Sequence, residues 1–479
     1  MKALNRKEAG LEENLPIRVL QFGEGNFLRA FVDYAIQELN EHAGFNGGVA
    51  VVQPIDRGLV NMLNDQDGLY TLFMKGVSKG KVIEDKKLVS SIVKGIDPYT
   101  SYESYLELAR LDTLDFVFSN TTEAGISFDE KDTPEMTPPN SYPAKLTRFL
   151  LERYRHFEGA ADKGLTIIPC ELINYNSDTL KDIILQYSDL WRLEEGFRKW
   201  IIQSNSFHNT LVDRIVPGYP KDEIEAYNSQ LDYKDNLIVT AEAFFLWVIE
   251  GDEELMKKLP FDRTDLNVLF VNNMQPYRTR KVRILNGAHT ALVPMSILYG
   301  NVTVKESVDN AFTGKYLHDT VFEEIIPTLD LERKELVTFA EEVFDRFRNP
   351  FIKHLLASIA LNSISKFKVR VLPSLLNYID KCNRLPLNLC FSFAALIRFY
   401  KGEWQGETLP VNDNAEIVAF FNEVWKENDY LIITEKVLKN ASFWDEDLSM
   451  RPDLTEAVAK ALELIDTKGI EGGYQSFVK

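Results

Sequence analysis

The sequence predicts an α/β domain followed by a mostly α-helical domain, and three observations indicate this order. Short apolar runs rich in β-branched residues alternate with amphipathic helical stretches in the first half of the chain. A glycine-rich turn directly follows the first of these runs. After Tyr277 the strand pattern fades, and long segments with helical periodicity dominate. We therefore expect two domains, residues 1–275 and residues 276–479.

The first unit of the chain has the order strand, glycine turn, helix, strand. Residues 17–22 form a β-rich run that ends in Gly23-Glu-Gly25, and residues 27–39 carry apolar side chains at helical spacing. A second apolar run follows at residues 48–53. This order opens a dinucleotide-binding βαβ unit, so the first domain is expected to be of the Rossmann type. Alternating polarity over residues 69–92 predicts a β-hairpin insertion in it.

The remaining elements follow from the same periodicities. In the first domain, the further predicted elements are, in order, helix 102–109, strand 115–120, helix 143–154, strand 165–170, helices within 178–203, strand 210–216 and a last strand at 269–273. Residues 237–248 fit either a strand or a helix. In the second domain, helical periodicity covers residues 281–298, 335–346, 351–361, 375–378, 391–400, 416–426, 430–437 and 455–467.

Composition limits the possible partners. The 479 residues include 54 Lys and Arg against 72 Asp and Glu, a net charge of −18 that would repel nucleic acid. The 3 cysteines are too few for a structural zinc site, so no metal is expected. The amino terminus has no apolar signal region, and the longest apolar stretch, residues 387–397, is too short to span a bilayer. We expect a cytoplasmic monomer or small homo-oligomer with no membrane partner.

The glycine turn predicts where a nucleotide would bind. Gly23 and Gly25 permit close approach of the backbone to a pyrophosphate, although Leu28 stands where a third glycine is usual. Asp56, just beyond the second strand, could accept hydrogen bonds from ribose hydroxyls and so favour NAD, whereas Arg57 beside it could hold a 2′-phosphate. The hydroxyls of the loop at residues 119–125, which include Thr121 and Thr122, could line the cofactor or simply form a turn.

The segment after Tyr277 has the most unusual chemistry. Four cations occur within six residues of this acidic chain: Arg278, Arg280, Lys281 and Arg283. At helical spacing, Lys281, Asn286 and His289 lie at roughly 0°, 140° and 80° around the axis, so that one broad face presents all three. A lysine ammonium can protonate a carbonyl oxygen as hydride reaches the carbon, while Asn286 and His289 hydrogen-bond that oxygen. The cations favour an anionic ligand.

These motifs resemble those of the mannitol dehydrogenase family, polyol-specific long-chain dehydrogenases that use NAD(P) without zinc. The family pattern G-x-G-x-F-x-R-A corresponds to Gly23, Gly25, Phe27, Arg29 and Ala30, and K-x4-N-x2-H to Lys281, Asn286 and His289. The resemblance implies a Rossmann-type domain, a helical domain, an active site between them and catalysis by the Lys-Asn-His set. Together with the turn analysis it gives these expected NAD-binding residues: Gly23, Gly25, Asn26, Phe27, Arg29, Asp56, Thr121 and Thr122.

Two departures argue against mannitol as the substrate. Cys170-Glu171-Leu172 stands where mannitol-oxidising members have Cys-Asp-Asn, so the role of that asparagine is vacant or is taken by another residue such as Asn176. Ser358 replaces an arginine that binds polyol in those members. The candidate substrate-binding residues are Asn176, Asp213, Lys366 and Arg370. Asp213 could instead anchor Arg214, and Lys366 and Arg370 could be ordinary surface charges.

The resemblance also indicates a reaction. Residues 21–31 and 169–173 look most like the members that act on sugar acids, which implies NAD-dependent reduction of D-tagaturonate to D-altronate in hexuronate catabolism. The transfer would be reversible and metal-independent, with Lys281 as general acid and base. Reduction of the epimeric fructuronate, or oxidation of mannitol or arabinitol, are the alternatives. A non-catalytic NAD-binding sensor is the alternative from a different class.

Overall fold

The computed structural model describes residues 2–11, 15–122 and 124–479. The chain divides into two compact units. The first comprises Met1–Lys75 and Val82–Met274, and the second comprises Gly76–Lys81 and Gln275–Lys479.

The first unit is an α/β structure. Its strands are β1 (Lys2–Ala3), β2 (Ile17–Phe22), β3 (Gly48–Val52), β4 (Tyr70–Ser78), β5 (Lys81–Val89), β6 (Ile92–Ile96), β7 (Phe116–Ser119), β8 (Thr166–Pro169), β9 (Ser206–Phe207), β10 (Thr210–Asp213), β11 (Tyr233–Lys234), β12 (Val239–Glu242), β13 (Leu246–Glu250) and β14 (Val268–Val271). The end of β4 and the first residue of β5 lie in the segment Gly76–Lys81, which belongs to the second unit. Its α-helices are α1 (Asn26–Ala30), α2 (Val32–His42), α3 (Val60–Asp65), α4 (Tyr102–Glu107), α5 (Tyr142–His156), α6 (Asn176–Leu190), α7 (Glu195–Ser204), α8 (Ile224–Asn228) and α9 (Glu253–Lys258).

A six-stranded parallel sheet with the order β6-β3-β2-β7-β8-β9 organises this unit. This is the doubly wound order of a Rossmann-type fold, and it confirms the predicted fold class. The central strands are apolar on both faces because each face is covered: Val19 and Val49 belong to one buried cluster, and Leu20 and Ala50 to the other. In register, Phe22 pairs with both Val52 and Ser119, so neighbouring strands end at one edge of the sheet.

Smaller sheets flank the main sheet and refine the sequence expectations. The predicted insertion is the hairpin β4–β5, and β12 pairs with β4 in parallel. The ambiguous segment 237–248 holds two strands, β12 and β13, and β13 lies between β10 and β14. The sequence did not predict β6 as a strand of the main sheet. Its pattern is weak because β6 is an edge strand in which only the two terminal residues are buried.

The second unit is mostly helical, as predicted. Its α-helices are α10 (Gln275–Arg280), α11 (Gly287–Tyr299), α12 (Val304–Asp309), α13 (Ala311–Asp319), α14 (Arg333–Phe347), α15 (Leu356–Ile359), α16 (Ser363–Arg370), α17 (Leu372–Cys382), α18 (Leu387–Phe399), α19 (Ala415–Val424), α20 (Tyr430–Leu438), α21 (Ala441–Trp444) and α22 (Leu454–Phe477). Two short strands, β15 (Glu403–Trp404) and β16 (Glu407–Thr408), pair with each other, and π-helical turns occur at Lys281–Asn286 and Thr320–Ile325.

Helix α18 forms the centre of this unit. Nearly all of its residues are buried, as expected for a helix that is apolar on every side. It packs against α11 and α22, and the hydroxyl of Ser392 on α18 donates a hydrogen bond to the carbonyl oxygen of Ala291 on α11 (2.9 Å). Helix α11 is thereby held in the core. Within the described residues, every helix is too short or too polar to cross a membrane.

Candidate active site

Gly23 forms the sharp turn after β2. Its φ of +116° lies in the region that favours glycine, and its N–H donates to the carbonyl oxygen of Val52 at the end of β3 (3.0 Å). A Cβ at this position would lie 2.9 Å from Leu28 Cδ1 and 3.1 Å from the carbonyl oxygen of Asn120. Leu28, at the usual position of the third glycine, therefore fills the space directly under this turn.

Gly25 differs from Gly23 in both conformation and surroundings. It precedes α1 with an ordinary φ of −66°, and a Cβ added there would have no described heavy atom within 4 Å. Open space over a glycine at the carboxyl edge of a doubly wound sheet is the arrangement that a dinucleotide pyrophosphate needs. The residues present at this turn therefore fit such a cofactor.

Glu24, between the two glycines, connects this turn to the loop after β3. Its carboxylate is buried and accepts a hydrogen bond from the N–H of Leu59 (3.2 Å), while burial raises its pKa. A Cβ at Gly58 would overlap the Glu24 side chain. The loop so held carries Asp56 and Arg57, which are both exposed. Glu24 was not among the residues predicted from the sequence, although it lies between the two glycines.

The other predicted residues of the turn face the protein. Arg29 is 1% exposed, and its guanidinium donates to the carbonyl oxygens of Leu237 (2.6 Å) and Glu24 (3.2 Å) and to Asn26 Oδ1 (2.8 Å). The ring of Phe27 stacks on that of Phe31 with centroids 5.0 Å apart. Through these contacts, Asn26, Phe27 and Arg29 stabilise the turn that carries Gly25.

A buried carboxylate holds the loop after β7. Glu171 accepts hydrogen bonds from Ser119 Oγ (3.0 Å), the Thr121 N–H (3.1 Å) and Thr121 Oγ1 (3.0 Å). Burial raises the pKa of Glu171, and these hydrogen bonds oppose that rise. Thr122 is exposed with φ +123°, and Glu123 lies outside the described residues. The sequence predicted no role for Glu171, although this residue closely follows β8 at the carboxyl edge of the sheet.

The side chain of Asn176 is occupied by protein partners. Its amide nitrogen donates to the carbonyl oxygens of Pro169 (3.0 Å) and Glu171 (3.1 Å), and its oxygen accepts from the N–H of Thr210 (3.1 Å). Because the residue is fully buried, it fastens the loop after β8 to β10. A direct substrate contact by this amide would break bonds that hold the sheet edge.

Asp213 ends β10 and is buried. The neighbouring guanidinium of Arg214 donates to the carbonyl oxygens of Ala30 (2.6 Å) and Glu242 (3.0 Å). Backbone carbonyl oxygens therefore anchor Arg214. From the sequence, this anchoring was considered as a role for Asp213, as an alternative to substrate binding.

One group of possible metal ligands, Glu38, Glu41 and His42, lies at the end of α2. Lys87 forms ion pairs with both carboxylates, so this group is a surface charge network.

In the second unit, Lys281 and Asn286 begin and end a π-helical turn between α10 and α11. The N–H of Gly287 donates to the carbonyl oxygen of Val282, five residues earlier, as a π turn requires. The predicted regular helix from residue 281 to 298 is therefore wrong in this turn. Residues five apart lie above one another in a π turn, so Lys281 and Asn286 are closer in direction than the 140° expected from α-helical geometry.

His289 lies one turn further on, in the interior of the unit. Its ring stacks on Phe347 (centroids 4.1 Å) and meets His354 edge to face (5.0 Å). Nε2 is buried and has no hydrogen-bond partner in the described part of the chain. Burial, assisted by the charges of His354, Arg346 and Arg370, lowers the pKa of His289 well below its ordinary value, so the imidazole is neutral.

Lys366 and Arg370 lie on α16, which packs beside this turn. The Lys366 ammonium donates to the carbonyl oxygen of Ile359 (2.8 Å), and burial together with the charge of Arg370 lowers its pKa. A Cβ at Gly287 would lie only 2.9 Å from the carbonyl oxygen of Arg370. Glycine at this position therefore lets the end of α16 approach the first turn of α11.

Comparisons with known proteins agree with this architecture. Residues 17–263 match the mannitol dehydrogenase Rossmann domain, and residues 273–466 match the mannitol dehydrogenase C-terminal domain. An altronate oxidoreductase of Bacillus subtilis is 46% identical over 479 residues, covering 100% of this chain and 98% of the relative. Altronate oxidoreductases of Escherichia coli O17:K52:H18 (48% over 476 residues, 98% of each chain) and Yersinia pestis (44% over 483 residues, 100% of each) are similarly close.

Two solved structures share the fold. A D-sorbitol dehydrogenase in substrate-free form has a TM-score of 0.82 at 21% identity and covers 98% of this chain and 100% of its own. A Pseudomonas fluorescens mannitol 2-dehydrogenase, in a ternary complex with NAD and D-mannitol, has a TM-score of 0.68 at 20% identity, with 100% and 99% covered. The Rossmann dehydrogenase domain indicates a nicotinamide cofactor. The chain belongs to the mannitol dehydrogenase family and is an oxidoreductase that acts on CH–OH groups.

Proposed function

We propose that this enzyme catalyses the reversible, NAD-dependent reduction of D-tagaturonate to D-altronate. The observation that carries the mechanism is the π turn, which gives Lys281 and Asn286 similar directions one helical turn before a neutral, buried His289 with an unpaired Nε2. The substrate assignment is supported by relatives named altronate oxidoreductase that are 44–48% identical over essentially the whole chain.

The three side chains divide the work at the substrate oxygen. When bound, the nicotinamide supplies the hydride. The Lys281 ammonium donates a proton to the carbonyl oxygen, and in the reverse direction the Lys281 amine removes the proton from the hydroxyl. The Asn286 amide and the neutral His289 donate hydrogen bonds to the same oxygen and stabilise the developing negative charge. Because a neutral imidazole keeps one N–H, His289 can donate this bond while Lys281 remains the proton source.

The residues at the sheet edge are assigned to the cofactor. The backbone at Gly23 and Gly25 would receive the pyrophosphate, and the hydroxyls of Thr121 and Thr122 would line the same edge. Asp56 is assigned to the ribose hydroxyls, which favours NAD over NADP. Its exposure on a loop held by Glu24 leaves its carboxylate accessible for this contact.

The test is a substrate panel of D-tagaturonate, D-fructuronate and D-fructose, each with NADH and with NADPH. We expect the highest kcat/KM for tagaturonate with NADH, and full activity in the presence of EDTA. Comparable turnover of fructose would refute a sugar-acid substrate, and preferred turnover of fructuronate would assign the epimeric reaction instead. No turnover with any of the three would favour the sensor alternative.

Lys281→Ala tests the proton donor. Loss of a general acid typically costs about 10²–10⁴-fold in rate, so kcat should fall by that factor. NADH binding, followed by nucleotide fluorescence, should stay within about twofold of wild type. Lys368→Ala is the matched control, because this lysine lies on α16 and pairs with Asp445 at the surface (2.6 Å). Undiminished turnover by Lys281→Ala would refute the mechanism.

A further inference from the structure

Positive charge gathers around His289, although the chain as a whole carries a net charge of −18. The ring of His354 contacts His289, and Arg346 and Arg370 lie near enough for their charges to act on it. Arg283, within the π turn itself, has a buried Nη1 without a hydrogen-bond partner among the described residues. A partly buried guanidinium costs free energy unless an anion or another acceptor pairs with it.

Like the Arg283 side chain, those of Arg370 and His354 lack a hydrogen-bonding or ionic partner among the described residues. In the part of the chain that the structure describes, no acceptor or carboxylate pairs with the Arg370 guanidinium, and none hydrogen-bonds the His354 ring. Other arginines in protected positions are satisfied: Arg153 donates to four backbone carbonyls, and Arg398 pairs with Asp466. Arg370 is half-buried, and burial lowers its pKa, so its guanidinium is partly desolvated without compensation.

Two separate segments bring these residues close to the Lys-Asn-His set. Arg370 ends α16, and its carbonyl oxygen lies against Gly287, which directly follows Asn286. His354 precedes α15, where its own carbonyl oxygen accepts a hydrogen bond from the N–H of Val304 (3.0 Å), and its ring contacts His289. Both residues therefore adjoin the residues that are proposed to hold the reacting carbonyl.

We propose that Arg370 and His354 bind the carboxylate of the substrate and thereby select a sugar acid over an uncharged ketose. This inference rests on the proposed function and assigns the recognition of its anionic group. A guanidinium offers two parallel N–H donors that match a carboxylate, and a ring N–H of His354 can add a third bond. An uncharged substrate would leave both groups without a partner, which penalises its binding.

The test compares Arg370→Gln and His354→Asn on D-tagaturonate and D-fructose. Hydrogen bonds to charged groups predict that each variant raises KM for tagaturonate by about 10- to 100-fold, with kcat changed by less than about threefold. kcat/KM for fructose should stay within about threefold of wild type. Inhibition by D-altronate should weaken in parallel, whereas inhibition by the uncharged polyol altritol should not. Arg370→Lys keeps the positive charge but loses the two parallel N–H donors of the guanidinium, so its KM for tagaturonate should lie between those of wild type and Arg370→Gln.

Arg348→Gln and His318→Asn are the matched controls. Both residues are exposed in the same unit, and Arg348 lies just past α14 with its Nε 3.9 Å from Asp309. They remove the same types of side chain, a guanidinium and an imidazole, away from His289 and should leave every KM unchanged. Thermal melting confirms that each variant is folded, and if Arg370→Gln does not fold, Arg370→Lys and His354→Asn carry the test.

The outcomes separate this inference from the function on which it rests. Wild-type enzyme that reduces no keto-uronate overturns the proposed function. Wild-type activity on tagaturonate combined with an unchanged KM in the folded variants overturns only the assignment of the carboxylate. Equal losses of kcat on tagaturonate and fructose also overturn it, because Arg370 and His354 would then serve to position His289.

Discussion

Gly25→Ala separates cofactor binding from folding. At φ −66° an alanine is not strained, and its Cβ would meet no described heavy atom within 4 Å. The free energy of unfolding should therefore rise by about 0.4–1 kcal/mol, since alanine reduces the conformational entropy of the unfolded chain. The added methyl group would occupy the space assigned to the pyrophosphate. We expect NADH affinity to fall at least about tenfold, or about 1.4 kcal/mol.

Gly23→Ala is the matched change two residues earlier. Its positive φ costs a non-glycine residue about 1–3 kcal/mol, and its Cβ would lie 3.1 Å from the carbonyl oxygen of Asn120 and 2.9 Å from Leu28 Cδ1. Here the free energy of unfolding should fall, and NADH affinity should fall with it because the turn itself is displaced. The two variants thus change stability in opposite directions while both weaken binding.

Urea unfolding of the cofactor-free protein, followed by circular dichroism, measures the first quantity. Titration with NADH, followed by nucleotide fluorescence, measures the second. Wild-type affinity in Gly25→Ala would refute the placement of the pyrophosphate over this glycine. An unchanged free energy of unfolding in Gly23→Ala would refute the conformational argument for the turn.

Two further substitutions test the packing beside the π turn and a buried carboxyl group. Gly287→Ala places a Cβ 2.9 Å from the carbonyl oxygen of Arg370. Overpacking of about 1–3 kcal/mol should outweigh the helix propensity of alanine, so both Tm and kcat/KM should fall. A higher Tm in calorimetry would contradict this close packing. Burial raises the pKa of Asp33 from 3.8 to about 7. Between these two pKa values the folded state binds more protons than the unfolded state. The free energy of unfolding of wild type therefore falls as the pH rises through this range. Asp33→Asn should therefore have a higher free energy of unfolding than wild type at pH 8, and this gain should be smaller at pH 5. Urea unfolding at both pH values measures it. An equal gain at the two pH values would contradict the raised pKa.

The sequence predicted the parts of the fold that local pattern determines. The strands Ile17–Phe22, Gly48–Val52 and Phe116–Ser119 are nearly continuous apolar runs because the central strands of a parallel sheet are buried on both faces. Ile92–Ile96 was missed because Lys94 and Gly95 interrupt the pattern at the sheet edge. The apolar segment 237–248 was ambiguous because two short strands separated by three residues resemble one helix in composition.

For the candidate site, the sequence supplied residues that are close along the chain and missed those that are distant. The spacing of Lys281, Asn286 and His289 is local and was recognised. The π turn was not predicted, because π and α turns differ in backbone hydrogen bonds and not in side-chain type. His354 meets His289 from 65 positions away, and only tertiary packing shows that contact. The same holds for Glu171, which holds Thr121 from 50 positions away.

The π turn makes the number of residues in this helix a constraint in its own right. A π turn contains one residue more than an α turn, while the helix on either side remains regular. Removing one residue between Lys281 and Asn286 would produce an unbroken α-helix of nearly the same composition. The residues before the deletion would then be rotated by about 100° against those after it. The Lys281 ammonium and the His289 imidazole would no longer point toward the one substrate oxygen that we propose they share. A substitution in this turn changes which chemical groups are present, whereas a change in its length changes the directions in which those groups point.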